Sequence, residues 1–213
     1  MKFHESVGPN PRVVRWFLKE KGLEVESAMV DIIAGENRLA EYLQKNPVGQ
    51  TPALELDNGV FLTEITAICE YLEELHPTPA LIGETPLERA ETRMWCRRMD
   101  LNIFEPLLNG FRFSDGLPLF ESRLHCIPQA ADDLKQTAQE QLTWLDGQLE
   151  GKAYVVGDRF TLADIMLYTL IEFGQREGQP FDHEKLATLA AWEQRIASER
   201  PHADGVAHVD ELD

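Results

Sequence analysis

The sequence of 213 residues predicts an α/β domain followed by an all-helical domain. Up to residue 77, apolar positions switch between strand spacing and helix spacing in the order βαβαββα. From residue 87 to residue 213 the spacing of apolar residues is helical throughout. The stretch 78–86, which contains prolines, is predicted to be the linker between the two domains. We therefore predict three parts: domain 1–77, linker 78–86 and helical domain 87–213.

The first strand and helix have clear sequence signals. Residues 2–5 predict a short strand, and a turn with Gly and Pro follows. A helix is then expected with Asn10 as its N-cap and Pro11 at its first position, because a proline there sacrifices no intrahelical hydrogen bond. Gly22 is the expected end of this helix, and residues 24–32 predict the second strand.

The rest of the α/β domain contains a hairpin between two helices. Residues 37–45 predict a short polar helix, and a loop rich in turn residues follows at 46–52. The tripeptide Asp-Asn-Gly at 57–59 is a strong signal for a hairpin between two short strands. Residues 64–76 then show apolar side chains at helical spacing, which completes the βαβαββα order.

The second domain shows helical signals only. A heptad-like series of apolar residues ends at Gly151 and comprises Leu134, Ala138, Leu142, Leu145 and Leu149. Thr161 and Asp164 have the spacing of a capping box, and Phe160 with Ile165 could form the hydrophobic staple that often accompanies it. The acidic residues after 201 predict a loosely held tail.

Composition and charge narrow the class of protein. Hydrophobic residues make up 43% and the net charge is −17, so binding to nucleic acid or to an anionic membrane is disfavoured. No apolar run approaches the roughly 20 residues of a membrane span, and the N-terminus lacks the apolar core of a signal peptide, so we expect a cytoplasmic protein. Cys69, Cys96 and Cys126 are too far apart for a structural zinc site or a dithiol redox centre.

Four segments together resemble the glutathione transferase superfamily. In chain order they are GPNPRVVRWFLKEKGL, GENRLAEYLQKNPVGQTPALEL, NGVFLTEITAICEYLEE and GDRFTLADIML. The GPN turn is similar to that of the disulfide-reductase-like bacterial class. The resemblance implies a thioredoxin-like N-terminal domain that binds glutathione and a helical domain that carries the electrophile site.

The resemblance also implies how the peptide backbone of glutathione is held. Thr51 precedes Pro52, whose bond is cis in the family, and its backbone would pair with the cysteinyl amides of the tripeptide. Glu64 would bind the γ-glutamyl ammonium, and the N–H groups of Ile65 and Thr66 would bind the γ-glutamyl carboxylate. The family usually has Glu-Ser where this chain has Glu64-Ile65, so one hydrogen bond to the carboxylate is lost.

Two further positions match residues that reach the glycyl carboxylate in the family, namely Arg38 and Gln50. The thiol has fewer matches, because the chain has Gly8 where serine-type members keep their hydroxyl. Asn10 lies where one bacterial class has cysteine and another has asparagine, so it is the leading catalytic candidate. Ser6 is a second candidate, although it lies early in the turn.

The resemblance predicts an enzyme that activates the thiolate of glutathione, its co-substrate, for attack on a small hydrophobic electrophile, without a metal. Two alternatives remain open: a glutathione-dependent disulfide reductase or peroxidase, whose substrate would be a disulfide, and a non-catalytic interaction module of the same fold. The family also implies a homodimer that forms through the third and fourth helices.

Overall fold

The computed structural model describes residues 1–200, so the expected acidic tail lies outside the described residues. The chain divides into two compact units, of which the first is Met1–Glu84 and the second begins at Thr85. Thr85 caps the first helix of the second unit and Pro86 starts it, so the last residue of the predicted linker is already helical.

The first unit is a four-stranded mixed sheet with helices, in the predicted order βαβαββα. The strand order in the sheet is β2-β1-β3-β4; β1 runs parallel to β2 and antiparallel to β3, and β3 is antiparallel to β4. The elements are β1 Lys2–Glu5, α1 Pro9–Glu20, β2 Glu26–Met29, α2 Ala40–Leu43, β3 Ala53–Glu55, β4 Phe61–Thr63 and α3 Ile65–Leu75.

Two predicted elements are shorter than the sequence suggested. The second strand covers four residues instead of the predicted nine, because Asp31 starts a turn: its side chain accepts from the Ala34 N–H at 2.8 Å. The polar helix predicted at 37–45 is split into a 3₁₀ turn, Glu36–Arg38, and the four-residue α2, because Leu39 between them has an extended backbone.

The start of α1 differs from the prediction in a way that matters for the site. The helix begins at Pro9, with Gly8 as its N-cap, so Asn10 lies inside the first turn and the predicted Asn10 cap is wrong. The predicted end is confirmed. Gly22 adopts a φ of 64°, and the bond from the Leu23 N–H to the Leu18 carbonyl, at 2.9 Å, closes a Schellman motif.

A buried ion pair ties the ends of α1 and α3 together. Lys21 and Glu73 form a salt bridge with side-chain exposures of 0% and 1%. Lys21 also donates to the carbonyl of His76 at 2.8 Å, and Glu73 accepts from the backbone N–H of Leu81 and Ile82. Both charges are therefore surrounded by hydrogen-bond partners, which is the condition for burying an ion pair without a large penalty.

Helices are the main secondary structure of the second unit within the described residues, and two isolated β-bridges, Tyr154–Gly157 and Val156–Arg159, lie before the helix that begins at Leu162. Its helices are α4 Pro86–Met99, α5 Glu105–Arg112, α6 Leu117–Phe120, α7 Ala131–Gln148, α8 Leu162–Arg176 and α9 Ala187–Glu199. A π-helical turn, Asp100–Phe104, separates α4 from α5. Pro106 explains this turn, because proline has no N–H for the carbonyl four residues earlier. The heptad-like series of apolar residues lies on α7 and at its C-terminal end. Its members are buried, except for Leu134, which is half-buried.

The predicted capping box at the start of α8 is confirmed. The hydroxyl of Thr161 accepts from the first turn, and the Asp164 carboxylate accepts from the Thr161 N–H at 2.9 Å. Asp164 also accepts from the N–H of Val155 and from the indole of Trp192. Burial raises the pKa of the Asp164 carboxyl to about 6, and these hydrogen bonds oppose the rise.

Candidate functional site

The register of the sheet brings the predicted site segments to one end of the first unit. Ala53, the first residue of β3, pairs with His4 near the end of β1 and with Thr63 at the end of β4. The chain segments beyond these three residues therefore leave the sheet at the same end: Thr51-Pro52, the turn that leads into α1, and Glu64 at the start of α3. This end is the candidate functional site.

Thr51 presents a free strand edge. The Thr51–Pro52 bond is cis, as the resemblance implied. Neither the N–H nor the C=O of Thr51 has a hydrogen-bond partner within residues 1–200. Thr51 is only half-buried, so an extended peptide could pair with both groups as an added strand does.

The start of α3 is an uncapped helix N-terminus. Glu64 is its N-cap residue, but no side chain caps the helix, and the Glu64 side chain is exposed. The N–H groups of Ile65 and Thr66 belong to the orphan donors of the first turn and favour an anion. Glu64 has a φ of 68°, the one positive value among the described non-glycine residues, and strained backbone of this kind concentrates at binding sites.

The start of α1 offers fewer backbone donors. The four amides without an intrahelical partner belong to Gly8, Pro9, Asn10 and Pro11, and the two prolines have no N–H. No side chain caps this end either. The side chain of Asn10 is half-buried and makes no hydrogen bond within residues 1–200, so its amide is available to a ligand.

Ser6 does not fit the catalytic role that the sequence analysis gave it. Its side chain is fully buried, at 0% exposure, and its hydroxyl donates to the Val30 carbonyl at 2.6 Å. A hydroxyl whose proton is already engaged by a buried carbonyl cannot donate it to a sulfur atom. We therefore correct this expectation: Ser6 joins the turn to Val30, the residue after β2, and is no longer a thiol candidate.

Arg38 and Gln50 both lie along the loop that leads to Thr51. Arg38 donates from Nη1 to the Val48 carbonyl at 3.1 Å, so the guanidinium is held against the loop. Gly49 beside it has a φ of 65°, which favours glycine, and a Cβ there would lie only 3.0 Å from the backbone oxygen of Asn37. Gln50 is half-buried, and its backbone carbonyl accepts two side-chain hydrogen bonds.

Sequence reasoning missed the side chains that brace this loop. Tyr42 and Asn46 both donate to the Gln50 carbonyl, and Asn37 donates to the Gly49 carbonyl at 2.7 Å. Burial and the charge of Glu36 raise the pKa of Tyr42 to about 12, so its hydroxyl keeps its proton. The Asn-Pro dipeptide at 46–47 was a usable signal, because asparagine often bonds to the backbone two residues on, as it does here with the Val48 N–H.

Comparison with known proteins identifies the family. The family description "Glutathione S-transferase, N-terminal domain" matches residues 7–75, and "Glutathione S-transferase, C-terminal domain" matches residues 117–200. Glutathione S-transferase 2 of Saccharomyces cerevisiae is 32% identical over 203 residues, which cover 93% of this chain and 85% of the yeast protein. This chain belongs to the glutathione transferase superfamily.

Other members of the superfamily agree in fold and vary in reaction. A solved glutathione S-transferase domain-containing protein of Marinobacter aquaeolei has a TM-score of 0.89 and 34% identity, over 95% of this chain and 100% of that one. Maleylacetoacetate isomerase of Pseudomonas aeruginosa is 34% identical over 191 residues, with 84% of each chain covered. The thioredoxin-like domain and the helical domain that were predicted are thus confirmed as the fold of this superfamily member.

Membership supports glutathione-dependent activity. Within residues 1–200, no group of three or more histidine, cysteine or carboxylate side chains is placed to hold a metal ion. Among the helices of the same residues, none combines the length and the apolarity that a bilayer crossing requires.

Proposed function

We propose that this superfamily member is a glutathione transferase, which activates the thiolate of glutathione for attack on a small hydrophobic electrophile. The observation that supports this proposal is the free strand edge at Thr51, which shares one end of the sheet with two uncapped helix N-termini. A strand edge suits the peptide part of glutathione, and helix N-termini suit a carboxylate and a thiolate.

Each end of the tripeptide has a partner in this proposal. The N–H and C=O of Thr51 pair with the cysteinyl amide, and the N–H groups of Ile65 and Thr66 bind the γ-glutamyl carboxylate. The exposed carboxylate of Glu64 binds the γ-glutamyl ammonium. Arg38 binds the glycyl carboxylate through the guanidinium N–H groups that do not bond to Val48. The side chain of Gln50 binds the same carboxylate.

Asn10 is the group that stabilises the thiolate in this proposal. Lowering a thiol pKa by two units takes about 2.7 kcal/mol. A helix N-terminus supplies about 0.3–1 kcal/mol when exposed, and here two prolines remove half of its orphan donors. One hydrogen bond to a charged group is worth about 1.5–3 kcal/mol. The Asn10 amide is therefore needed to close the gap.

The proposed reaction needs no further protein group on the sulfur. The thiol proton leaves to solvent, the sulfur forms a bond to the electrophilic carbon, and the leaving group departs with the electron pair of its bond. A disulfide as the acceptor would use the same thiolate, which is why the reductase alternative predicts the same site residues and a different substrate.

We further propose that two copies of the chain associate through α4. Three apolar side chains, spaced seven residues apart on α4 and the π-helical turn, are exposed: Leu87 at 69%, Met94 at 40% and Leu101 at 51%. Side chains seven residues apart lie on one face of a helix, so these three form an apolar stripe that a second copy could cover.

The test of the proposed function combines binding with turnover. Titration calorimetry with glutathione should give a 1:1 binding curve per chain, and 1-chloro-2,4-dinitrobenzene should be consumed with release of chloride. No binding at millimolar glutathione would contradict both enzymatic functions and leave the interaction module. Binding with turnover of 2-hydroxyethyl disulfide alone would replace the transferase with the disulfide reductase.

A further inference from the structure

The backbone carbonyl of Gln50 is held by two buried side chains. The hydroxyl of Tyr42 donates to it at 2.8 Å and the amide of Asn46 donates to it at 2.9 Å. Tyr42 is 3% exposed and Asn46 is 2% exposed. Both lone pairs of this carbonyl are therefore engaged by side chains whose own positions are fixed by packing.

The same peptide unit carries the N–H of Thr51. The bond between Gln50 and Thr51 is trans, so its C=O and N–H lie in one plane and point in opposite directions. A change in the direction of the Gln50 carbonyl therefore turns the Thr51 N–H by the same angle. Two donors on the carbonyl also polarise the amide and strengthen its N–H as a donor.

Asn46 fixes the rest of the loop as well. Its side-chain oxygen accepts from the Val48 N–H at 3.1 Å, and its backbone carbonyl accepts from the Gly49 N–H at 2.9 Å. Since the side-chain nitrogen is the atom that reaches Gln50, one asparagine holds both ends of the turn. The side chain of Tyr42, by contrast, makes one hydrogen bond within residues 1–200, which its hydroxyl donates to the Gln50 carbonyl.

We propose that Tyr42 and Asn46 are positioning residues, which aim the Thr51 N–H at the glutathione backbone and so set the affinity for glutathione. The proposal rests on the proposed function, since it assigns the Thr51 N–H to the ligand. Neither residue touches the sulfur or the electrophile, so the two act on glutathione binding and leave the rate at saturating glutathione unchanged.

The first test is Tyr42→Phe, which removes the hydroxyl and keeps the ring. One neutral hydrogen bond corresponds to a loss of roughly three- to tenfold in affinity. We expect the Kd for glutathione, measured by calorimetry, and its KM to rise by that factor while kcat stays within about twofold. The matched control is Tyr154→Phe, which removes a hydroxyl that donates to Glu199 at 2.8 Å in the helical unit and should leave the Kd unchanged.

The second test is Asn46→Asp, which keeps an oxygen for the Val48 N–H and replaces the donor to Gln50 with an acceptor. The carboxylate repels the Gln50 carbonyl, so the Kd should rise more than in Tyr42→Phe. Because both donors act on one carbonyl, the rise in Kd in the Tyr42→Phe/Asn46→Asp double variant should be smaller than the product of the two single rises. A structural role alone predicts lower thermal stability with an unchanged Kd.

The outcomes separate this proposal from the one on which it rests. Wild-type binding, together with an unchanged Kd in a folded Tyr42→Phe variant, would overturn the positioning role and leave the proposed function intact. A wild-type protein that ignores glutathione would overturn both. A selective rise in Kd and KM in both variants, absent from Tyr154→Phe, would establish the role.

Discussion

At the scale of single residues, the chemistry of the site depends on which polar side chains are already engaged. The side chain of Asn10 makes no hydrogen bond within residues 1–200, whereas the Ser6 hydroxyl donates to the Val30 carbonyl. The sequence placed both side chains in the same turn and could not rank them, because the hydrogen-bond partner of Ser6 is Val30, which follows β2 and lies 24 residues away. It also assigned Asn10 to a cap that Gly8 occupies, and the correct start at Pro9 is what leaves the amide free.

Replacing Asn10 tests whether its amide stabilises the thiolate. Asn10→Ala should lower kcat roughly ten- to a hundredfold, because a hydrogen bond to a charged group is lost. The pKa of the bound glutathione thiol should rise, which the pH dependence of kcat measures. Asn10→Asp keeps the shape and places a negative charge near the sulfur, so it should impair turnover at least as much. Unchanged turnover in Asn10→Ala would remove Asn10 from the mechanism.

The buried Asp164 makes stability depend on pH in a predictable direction. Burial raises its folded-state pKa to about 6 from an ordinary value of 3.8. The proton therefore stabilises the folded state below about pH 4, and this contribution is lost as the pH rises through about 6. The difference between the two pKa values corresponds to about 3 kcal/mol in the free energy of unfolding.

Asp164→Asn cannot titrate, so it isolates this contribution. Urea denaturation at several pH values gives the free energy of unfolding of each protein. The wild type should lose about 3 kcal/mol relative to the variant between about pH 4 and about pH 6. A flat difference for Asp164→Asn would contradict the raised pKa.

At the scale of elements, the sequence predicted those features that depend on interactions between residues close in sequence. The Asp-Asn-Gly hairpin, the left-handed Gly22 and the capping box at Thr161 depend on residues close in sequence, and all three are present. The split of the polar helix at Leu39 was not predictable in this way. That segment is shaped by its bonds to the loop at 48–50, which the helical pattern does not contain.

The ion pair between Lys21 and Glu73 should be a major determinant of how the ends of α1 and α3 are held. Glu73→Ala leaves a fully buried ammonium without its counter-charge, so the free energy of unfolding should fall by about 3–5 kcal/mol. Urea denaturation measures this change. The surface pair Lys2–Glu26 is the control, and Glu26→Ala should leave the unfolding midpoint unchanged. Equal midpoints for the two variants would show that the buried pair is not needed.

At the scale of the whole molecule, the candidate site exists because the register of β1, β3 and β4 gathers three distant segments. Periodicity predicted the strands, and the resemblance supplied the site residues that the register then brought to one end. The free edge of Thr51 was implied by the resemblance. The two donors on the Gln50 carbonyl were not predicted, because they depend on how the loop packs against Tyr42 and Asn46.

The proposed homodimer is also a property of the whole molecule. Sedimentation equilibrium should give twice the chain mass for the wild type, because an exposed apolar stripe on α4 favours self-association. Met94→Glu places a charge in the middle of the stripe and should shift the protein to the monomer. Ile127→Glu, at an exposed apolar position outside α4, should remain dimeric. A monomeric wild type at micromolar concentration would contradict the proposal.

The most direct measurement of the central claim is an amide chemical-shift titration of the isotope-labelled protein with glutathione. The largest changes should fall on the N–H groups of Thr51, Ile65, Thr66 and Asn10, which share one end of the sheet. Saturable shifts concentrated on these four amides are the predicted result. Shifts that cluster elsewhere, or none at millimolar glutathione, would contradict the account.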